Sequence, residues 1–377
     1  MNGGIDFNKP YITGKEANYI ADVIATHKLA GNGKYTKFCQ QAFQDFYGFQ
    51  KCLLTTSCTD ALEMAALLLD IRPGDEVIIP SYSFVSTANA FLLRGATIVF
   101  ADSMKEEPNL DCSGLEQLIT PKTKVIVPVH YAGVACDMDA IMDLSYKYNI
   151  YVVEDAAQAI DSYYIGRDGE RKPLGSIGHL AAFSFHETKN IISGEGGMLV
   201  VNDLNFAQKA EIIWEKGTNR SAFFRGEIDR YGWEEIGSSY MPSELIAAFL
   251  KAQLEHLVEI QNGRIELWRQ YFDLLKERNV HYSLPFIPNY ATNNAHMFYL
   301  ICENSEARDS FIKKLSALKI TATSHFRSLH RSRYFENKYN GFPLVNADRF
   351  TDCLIRLPLY YELQGLDISS ICKVITN

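Results

Sequence analysis

The chain has 377 residues, 47% of them hydrophobic, with a formal net charge of -8 and no long basic run. That size and apolar content support a large core, and the acidic balance excludes nucleic acid as the main partner. Eight scattered cysteines without a CxxC pair, no apolar signal core in MNGGIDFNKP and no run of membrane-spanning length point to a reduced, cytoplasmic protein with no disulfide frame, zinc site or membrane insertion. In chain order, KCLLTT (51–56), DEVIIP (75–80), ATIVFAD (96–102), TKVIVPVHY (123–131) and IYVVEDA (150–156) predict strands. Between them TDALEMAALLLDI (59–71), SFVSTANAFLLRG (83–95), SGLEQLITP (113–121) and DMDAIMDLSYKYN (137–149) carry apolar residues at helical spacing. HLAAFSF (179–185) and MLVVN (198–202) add two more strands.

This alternation predicts an α/β fold with a mostly parallel sheet between helices, whose ligands gather at the carboxyl ends of the strands. A long helical stretch, roughly Ser243 to Asn279, then leads out of a large domain (residues 1–255) into a smaller C-terminal α+β domain (256–377). There HMFYLIC (296–302), KITATSHF (319–326) and IRLPLY (355–360) read as strands, and EARDSFIKKLSAL (306–318) and SSICKVIT (369–376) as helices.

Four segments carry chemistry. In TTSCTDALEMAA (55–66) a strand ends at the start of a helix, where free N–H groups, the helix dipole and hydroxyls make an anion site; simple capping by Ser57 or Thr59 explains the same residues. Asp155 closes the strand in YVVEDAAQAI, placed either to hold a proton on a heteroaromatic nitrogen or to cap the segment that follows. Tyr82 and Phe84 in PSYSFVSTANA offer a ring to a flat ligand or to the core. Lys189 sits in FSFHETKNIISGEGG, between a strand and the glycines Gly194, Gly196 and Gly197. A lysine partly desolvated at a sheet edge has a lowered pKa and becomes nucleophilic enough to form a Schiff base, whereas most lysines are solvated surface charges. Together a phosphate cradle, a stacking ring, a carboxylate and a lysine are the groups that pyridoxal 5′-phosphate requires.

SCTDALEMAALLLDIRPGDEVIIPSYSFVSTANAF, VIVPVHYAGVACDMD, VVEDAAQ, FSFHETKN, GEGG, EKGTNRSAFFRG, IGSSY and NAHMFY resemble the DegT-type sugar-nucleotide aminotransferases along nearly the whole chain. The resemblance implies the fold-type I architecture of aspartate aminotransferase, with pyridoxal 5′-phosphate as cofactor and its pyridoxamine form in the second half-reaction. It implies that Lys189 bonds the cofactor and shuttles protons, Asp155 binds the pyridinium nitrogen, Gln158 reaches the phenolic oxygen and Phe84 stacks on the ring. Ser184, Thr59 and the Cys58–Asp60 backbone would hold the phosphate. The implied reaction moves an amine from L-glutamate to a dTDP-linked keto sugar, most nearly dTDP-4-dehydro-6-deoxy-D-glucose. A 3-aminotransferase, a 4-aminotransferase of opposite stereochemistry and a nucleotide-sugar-binding pseudoenzyme stay open; a lysine rather than a histidine at 189 favours transamination over dehydration. The family is homodimeric, with each site completed by the neighbouring subunit. Here Ser239 and Met241 stand where many relatives carry Asn or Arg, so Ser238 or Ser239 is the candidate for the cross-subunit contact. Arg220 and Arg225, with Phe223 or Phe224, are candidates for the nucleotide, and His186 and His330 for the sugar.

Overall fold

A computed structural model describes residues 4–277, 282–365 and 368–376. Two helices that the pattern reading did not anticipate, α1 (Glu16–Ala25) and α2 (Lys34–Tyr47), precede the first strand. The alternating region follows as β1 (Cys52–Thr55), α3 (Cys58–Leu68), β2 (Glu76–Pro80), α4 (Val85–Leu92), β3 (Thr97–Ala101), β4 (Thr123–Ile126), α5 (Met138–Tyr148) and β5 (Tyr151–Asp155). A hairpin of β6 (Tyr163–Ile165) and β7 (Arg171–Pro173) leads to β8 (Leu180–Ser184) and β9 (Gly197–Val201). Then come α6 (Ala207–Trp214), α7 (Arg220–Phe224), α8 (Glu244–Glu255), α9 (Leu257–Lys276), β10 (Phe298–Ile301), α10 (Ser305–Ala317), β11 (Thr323–Ser324), α11 (Val345–Cys353), β12 (Leu354–Leu357) and α12 (Ile368–Thr376).

Seven strands form one sheet in the order β1-β9-β8-β5-β4-β2-β3. The pairs from β8 to β3 are parallel, and β9 runs antiparallel to both of its neighbours. The chain between β8 and β9 contains no crossover helix, so β9 returns beside β8 in the opposite direction. Side chains alternate faces along each strand. Leu53, Val77, Ile79, Val125, Val153 and Leu199 pack with α3, α4 and α6. Leu54, Ile78, Ile126, Val152, Met198 and Val200 pack with α2, α5 and α8. Each large aliphatic side chain so buried contributes about 1.5–3 kcal/mol.

A second, antiparallel sheet, β10-β12-β11, is covered by α9 and α12 through Leu267, Tyr271, Ile371 and Ile375. Ile5 joins this core and bridges Ile320, so the N-terminal segment packs with the C-terminal sheet.

Several elements differ from the pattern reading. The helix expected over 243–279 breaks at His256 (φ −111°, ψ 11°), and Asn279 lies outside the described residues. Residues 113–121 form a 3-10 helix, Cys112–Leu118, instead of an α-helix; it ends at extended Ile119, close before Pro121. β4 stops short because Pro128 has no N–H to donate, although its carbonyl accepts from Asp155 N at 2.8 Å. The strand expected over 319–326 shrinks to Thr323–Ser324. Among the described residues no helix is long and apolar enough to cross a membrane, and no His, Cys, Asp and Glu group is arranged to hold a metal.

Candidate active site

The carboxyl ends of β1, β5 and β8 meet at one place. Asp155, the last residue of β5, is buried, and its carboxylate accepts from Thr87 Oγ1 at 2.7 Å and from Ala157 N at 3.2 Å. Burial raises its pKa, and the hydrogen bonds from Thr87 and Ala157, together with the nearby Lys189 charge, oppose that rise. Beside it, Glu154 is fully buried and fixes the strand end. Its carboxylate accepts from Gly175, Ile177 and Gly178 N–H and meets His130 Nε2 at 2.9 Å. His130 Nδ1 accepts from Cys136 N at 3.2 Å, so Nε2 carries the proton that it donates to Glu154.

Lys189 follows β8 in a loop whose backbone is anchored on the residue after it. Asn190 is buried, donating to Gln261 Oε1 and the Asn294 carbonyl, both at 2.8 Å. Its Oδ1 is left to accept from His296 Nδ1, also at 2.8 Å. The Lys189 side chain is half-buried, and its amine has no hydrogen-bond or ion-pair partner among the described residues. Burial pushes the ammonium pKa down, with Cys58 and Asp155 pulling the other way. An amine in this state is available as nucleophile and as base.

The start of α3 forms the third wall. Ser57 caps it, accepting from Asp60 N at 3.1 Å, and Thr56 Oγ1 bonds the Asp60 carboxylate. The cap reading of Ser57 is therefore realised, yet the amides of Cys58 and Thr59, in the first turn, have no intrahelical acceptor. Ser184, at the end of β8, pairs with Gly197 across the ladder. Gly197 in turn lies against the α3 start so closely that a Cβ there would meet Ser57 C at 2.3 Å and Cys58 N at 2.4 Å. Only glycine lets β9 pass under this turn. Thr59 Oγ1 reaches Ser86 Oγ at 2.8 Å, tying α3 to α4 and thus to the Thr87–Asp155 bond. Phe84, the residue before α4, is exposed on this rim and packs its ring 5.8 Å from Phe326. Gln158 accepts from Ala132 N at 2.7 Å through Oε1, which leaves its Nε2 to donate.

The structure thus brings together Cys58, Thr59, Asp60, Phe84, Asp155, Ser184 and Lys189, with Gln158 on the neighbouring loop. The remaining candidates have other surroundings. Ser239 bridges Glu215, next to Tyr240, whose carbonyl accepts from Thr56 N at 3.0 Å, so this segment borders the α3 start. Arg225 pairs with Glu211 at 3.0 Å and Glu227 at 2.7 Å, and Arg220 lies over the Phe224 ring. These contacts stay within the α6–α7 region. His186 meets Thr188 Oγ1 at 2.9 Å. His330 is buried with both ring nitrogens engaged, Nδ1 with Ser81 at 2.7 Å and Nε2 with Asp348 at 3.4 Å. Sequence reasoning missed Thr87, three residues past Phe84 in a segment already singled out.

A free, partly desolvated amine, a buried carboxylate and a cradle of open amides and hydroxyls fit a phosphorylated heteroaromatic aldehyde. The comparisons agree. The profile of the DegT/DnrJ/EryC1/StrS aminotransferase family matches residues 10–376. GDP-perosamine synthase of Caulobacter vibrioides is 33% identical over 326 residues, covering 85% of this chain and 84% of that protein. The spore coat polysaccharide biosynthesis protein SpsC of Bacillus subtilis is 31% identical over 385 residues, covering 100% and 97%. Among solved structures, Spr1654 of Streptococcus pneumoniae, seen in PLP- and PMP-forms, superposes with a TM-score of 0.88 at 25% identity; the PLP-form covers 99% of this chain and 98% of that one. The fold is that of the aminotransferases, and the protein is a pyridoxal 5′-phosphate-dependent aminotransferase. The chain belongs to the DegT/DnrJ/EryC1/StrS aminotransferase family and is a sugar aminotransferase.

Proposed function

We propose that the protein transfers the amino group of L-glutamate to dTDP-4-dehydro-6-deoxy-D-glucose, giving dTDP-4-amino-4,6-dideoxy-D-galactose and 2-oxoglutarate. The observation that carries the reaction type is the Lys189 amine, desolvated near Asp155 and Cys58 and without a hydrogen-bond or ion-pair partner among the described residues. The particular sugar is supported by the resemblance of the sequence as a whole, most nearly to dTDP-4-amino-4,6-dideoxygalactose transaminase. Bound pyridoxal 5′-phosphate supplies an electron sink and carries the amino group between donor and acceptor. Ser184, Thr59 and the Cys58–Asp60 amides bind its phosphate; Gln158 Nε2 donates to its phenolic oxygen; Phe84 covers its ring. Asp155 holds a proton on the ring nitrogen by a charge-assisted hydrogen bond. Lys189 takes the proton from the donor carbon and later delivers one to the sugar carbon, as base and then acid.

The protein works as a homodimer in the cytoplasm and serves surface polysaccharide synthesis, such as lipopolysaccharide O-antigen or enterobacterial common antigen. Arg220, Phe224 and Arg225 face the nucleotide of a site in the assembled dimer, Ser239 the phosphate, and His186 the sugar; His330, whose two ring nitrogens are taken by Ser81 and Asp348, has no group left for it. The relative named GDP-perosamine synthase favours a second reading, in which the nucleotide is GDP. Incubating the enzyme and glutamate with dTDP- and GDP-linked 4-keto-6-deoxy sugars, with products read by mass spectrometry and NMR, tests both. An amine on the dTDP sugar, axial at C4, is expected. An amine at C3, an equatorial C4 amine or turnover of the GDP sugar alone overturns the leading reading.

A further inference from the structure

Lys189 and Gln158 lie on separate loops, the one after β8 and the other after β5. A single side chain joins them. Asn294, fully buried shortly before β10, donates from Nδ2 to the carbonyls of Gln158 at 2.8 Å and Ile160 at 2.7 Å. Its own carbonyl accepts from Asn190 Nδ2 at 2.8 Å, one residue past Lys189. Its Oδ1 accepts from His296 N at 3.0 Å, and His296 Nδ1 closes the ring by donating to Asn190 Oδ1 at 2.8 Å.

The backbone around this amide is held in conformations it would not keep alone. Nine non-glycine residues among those described have positive φ, and three of them adjoin the Asn294 contacts. Ala132 (φ 57°) fixes Gln158 Oε1 with its N–H, Asp161 (φ 58°) follows Ile160, and Ala295 (φ 52°) follows Asn294 itself. Left-handed backbone is costly for such residues and persists only where surrounding contacts over-determine it. Ala295 is fixed from both sides: Asn293 Oδ1 accepts from its N–H at 2.8 Å, and Arg264 Nε donates to its carbonyl at 3.1 Å. Gly133, beside Ala132, approaches so closely that a Cβ there would meet Asn294 Oδ1 at 1.9 Å. The carbonyls of Gln158 and Ile160 lie in a buried segment that is neither helix nor strand. Without a donor from outside the segment they would be left unpaired at a cost.

We propose that Asn294 is a positioning residue that keeps Gln158 in register with Lys189. Its amino group sets the main chain of Gln158, and the Ala132 N–H then leaves Gln158 only Nε2 to present. Its carbonyl holds the Asn190 side chain, and with it the backbone that carries Lys189. The proposal rests on the reading that Gln158 Nε2 donates to the cofactor's phenolic oxygen. Such a bond favours the ionised form of that oxygen, so loosening it raises the pH at which the cofactor's visible band changes. Lys189 could still bond the cofactor in that case. The defect expected from a lost register is therefore in the colour and the rate, with the covalent attachment kept.

The test compares wild-type holoenzyme with Asn294→Asp, Asn294→Ser, Gln158→Ala and the double variant Asn294→Ser/Gln158→Ala. Asn294→Asp keeps the size and the acceptor for His296 N but donates to neither carbonyl, whereas Asn294→Ser keeps one donor. The pH midpoint of the visible band, titrated by absorbance without substrate, should rise in Gln158→Ala. It should rise comparably in Asn294→Asp and by less in Asn294→Ser. The kcat of Asn294→Asp should fall about 10-fold, with the KM values for glutamate and the nucleotide sugar unchanged. Borohydride should still fix the cofactor on the peptide containing residue 189. In the double variant the midpoint should stay where Gln158→Ala alone puts it, because one residue acts through the other. A variant of Asn294 that folds, by circular dichroism, and keeps the wild-type midpoint overturns the proposal. So do shifts that add in the double variant. Failure of both Asn294 variants to fold would assign the residue to the core and overturn the positioning role as well. A midpoint that Gln158→Ala leaves unmoved overturns the Gln158 reading instead.

Discussion

Lys189 and Asp155 differ in what they lose when changed. Lys189→Ala removes the group proposed both to bond the cofactor and to move the proton, so glutamate-dependent turnover should fall by about 10³-fold or more. Borohydride reduction of the wild-type holoenzyme should leave a pyridoxyl group on the peptide containing residue 189, and the variant should show none. Turnover equal to wild type would remove Lys189 from the mechanism. Asp155→Asn keeps the shape and the Thr87 contact but gives up the charge on the ring proton. We expect roughly 10- to 100-fold lower kcat with unchanged circular dichroism; near wild-type activity would reduce Asp155 to a cap on the strand end. Both residues were legible in the sequence because each stands at the end of an apolar run, beside glycines or small residues. Thr87 was not, because a threonine inside a helix signals nothing until the fold sets it 2.7 Å from a carboxylate.

At the scale of elements, the site is a junction of strand and helix ends held by close backbone approach. Gly197→Ala would drive a Cβ into Ser57 and Cys58, lifting the α3 start away from Ser184. Relief of such overpacking costs about 1–3 kcal/mol, and it falls on the phosphate cradle. Pyridoxal phosphate should therefore dialyse out of the variant under conditions in which wild type stays yellow. A variant that holds cofactor as tightly as wild type would show that the cradle lies elsewhere. Helices away from the site depend on equally distant partners. The start of α2 is capped by Glu244 of α8, which accepts from Gly33, Tyr35 and Thr36 N–H. A cap supplied from over two hundred residues away leaves no local signature, and α2 went unread for that reason.

For the whole molecule, the homodimer proposal has a mixing test. Lys189→Ala and Arg225→Ala subunits, dissociated and allowed to reassociate, form a heterodimer. If Arg225 serves its neighbour's site, one site carries both defects and the other neither, and activity returns. No recovery from two weak mutants would place Arg225 in its own chain's site or outside any site; a monomer by light scattering would end the dimer reading. Global stability has its own handle in Glu107. It is buried with one carboxylate oxygen unpaired, and burial, with Glu106 nearby, pushes its pKa up to about 8. An unfolded glutamate titrates near about 4.3. Between those values the folded state holds a proton that the unfolded state has released, so stability declines as pH rises until Glu107 ionises in the fold. Glu107→Gln should melt progressively higher than wild type from pH 5 to pH 8, and the gap should level off above that. A gap independent of pH would mean that Glu107 does not carry the proton.

The sequence by itself determined the layered α/β order, because apolar periods of two and of three to four residues are local and each strand ends where polar residues begin. It also determined the reaction class, since the lysine, the carboxylate and the helix start each sit at a strand end that a parallel sheet must gather on one edge. The tertiary structure decided what depends on contacts between distant segments. It reversed β9, broke the long helix at His256 and joined Ile5 to the C-terminal sheet. It also paired His330 with Ser81 and left Arg356 Nε enclosed on β12 without a hydrogen bond among the described residues. Whether a buried charge is matched depends on which atoms surround it in space, and no local pattern of residues records that.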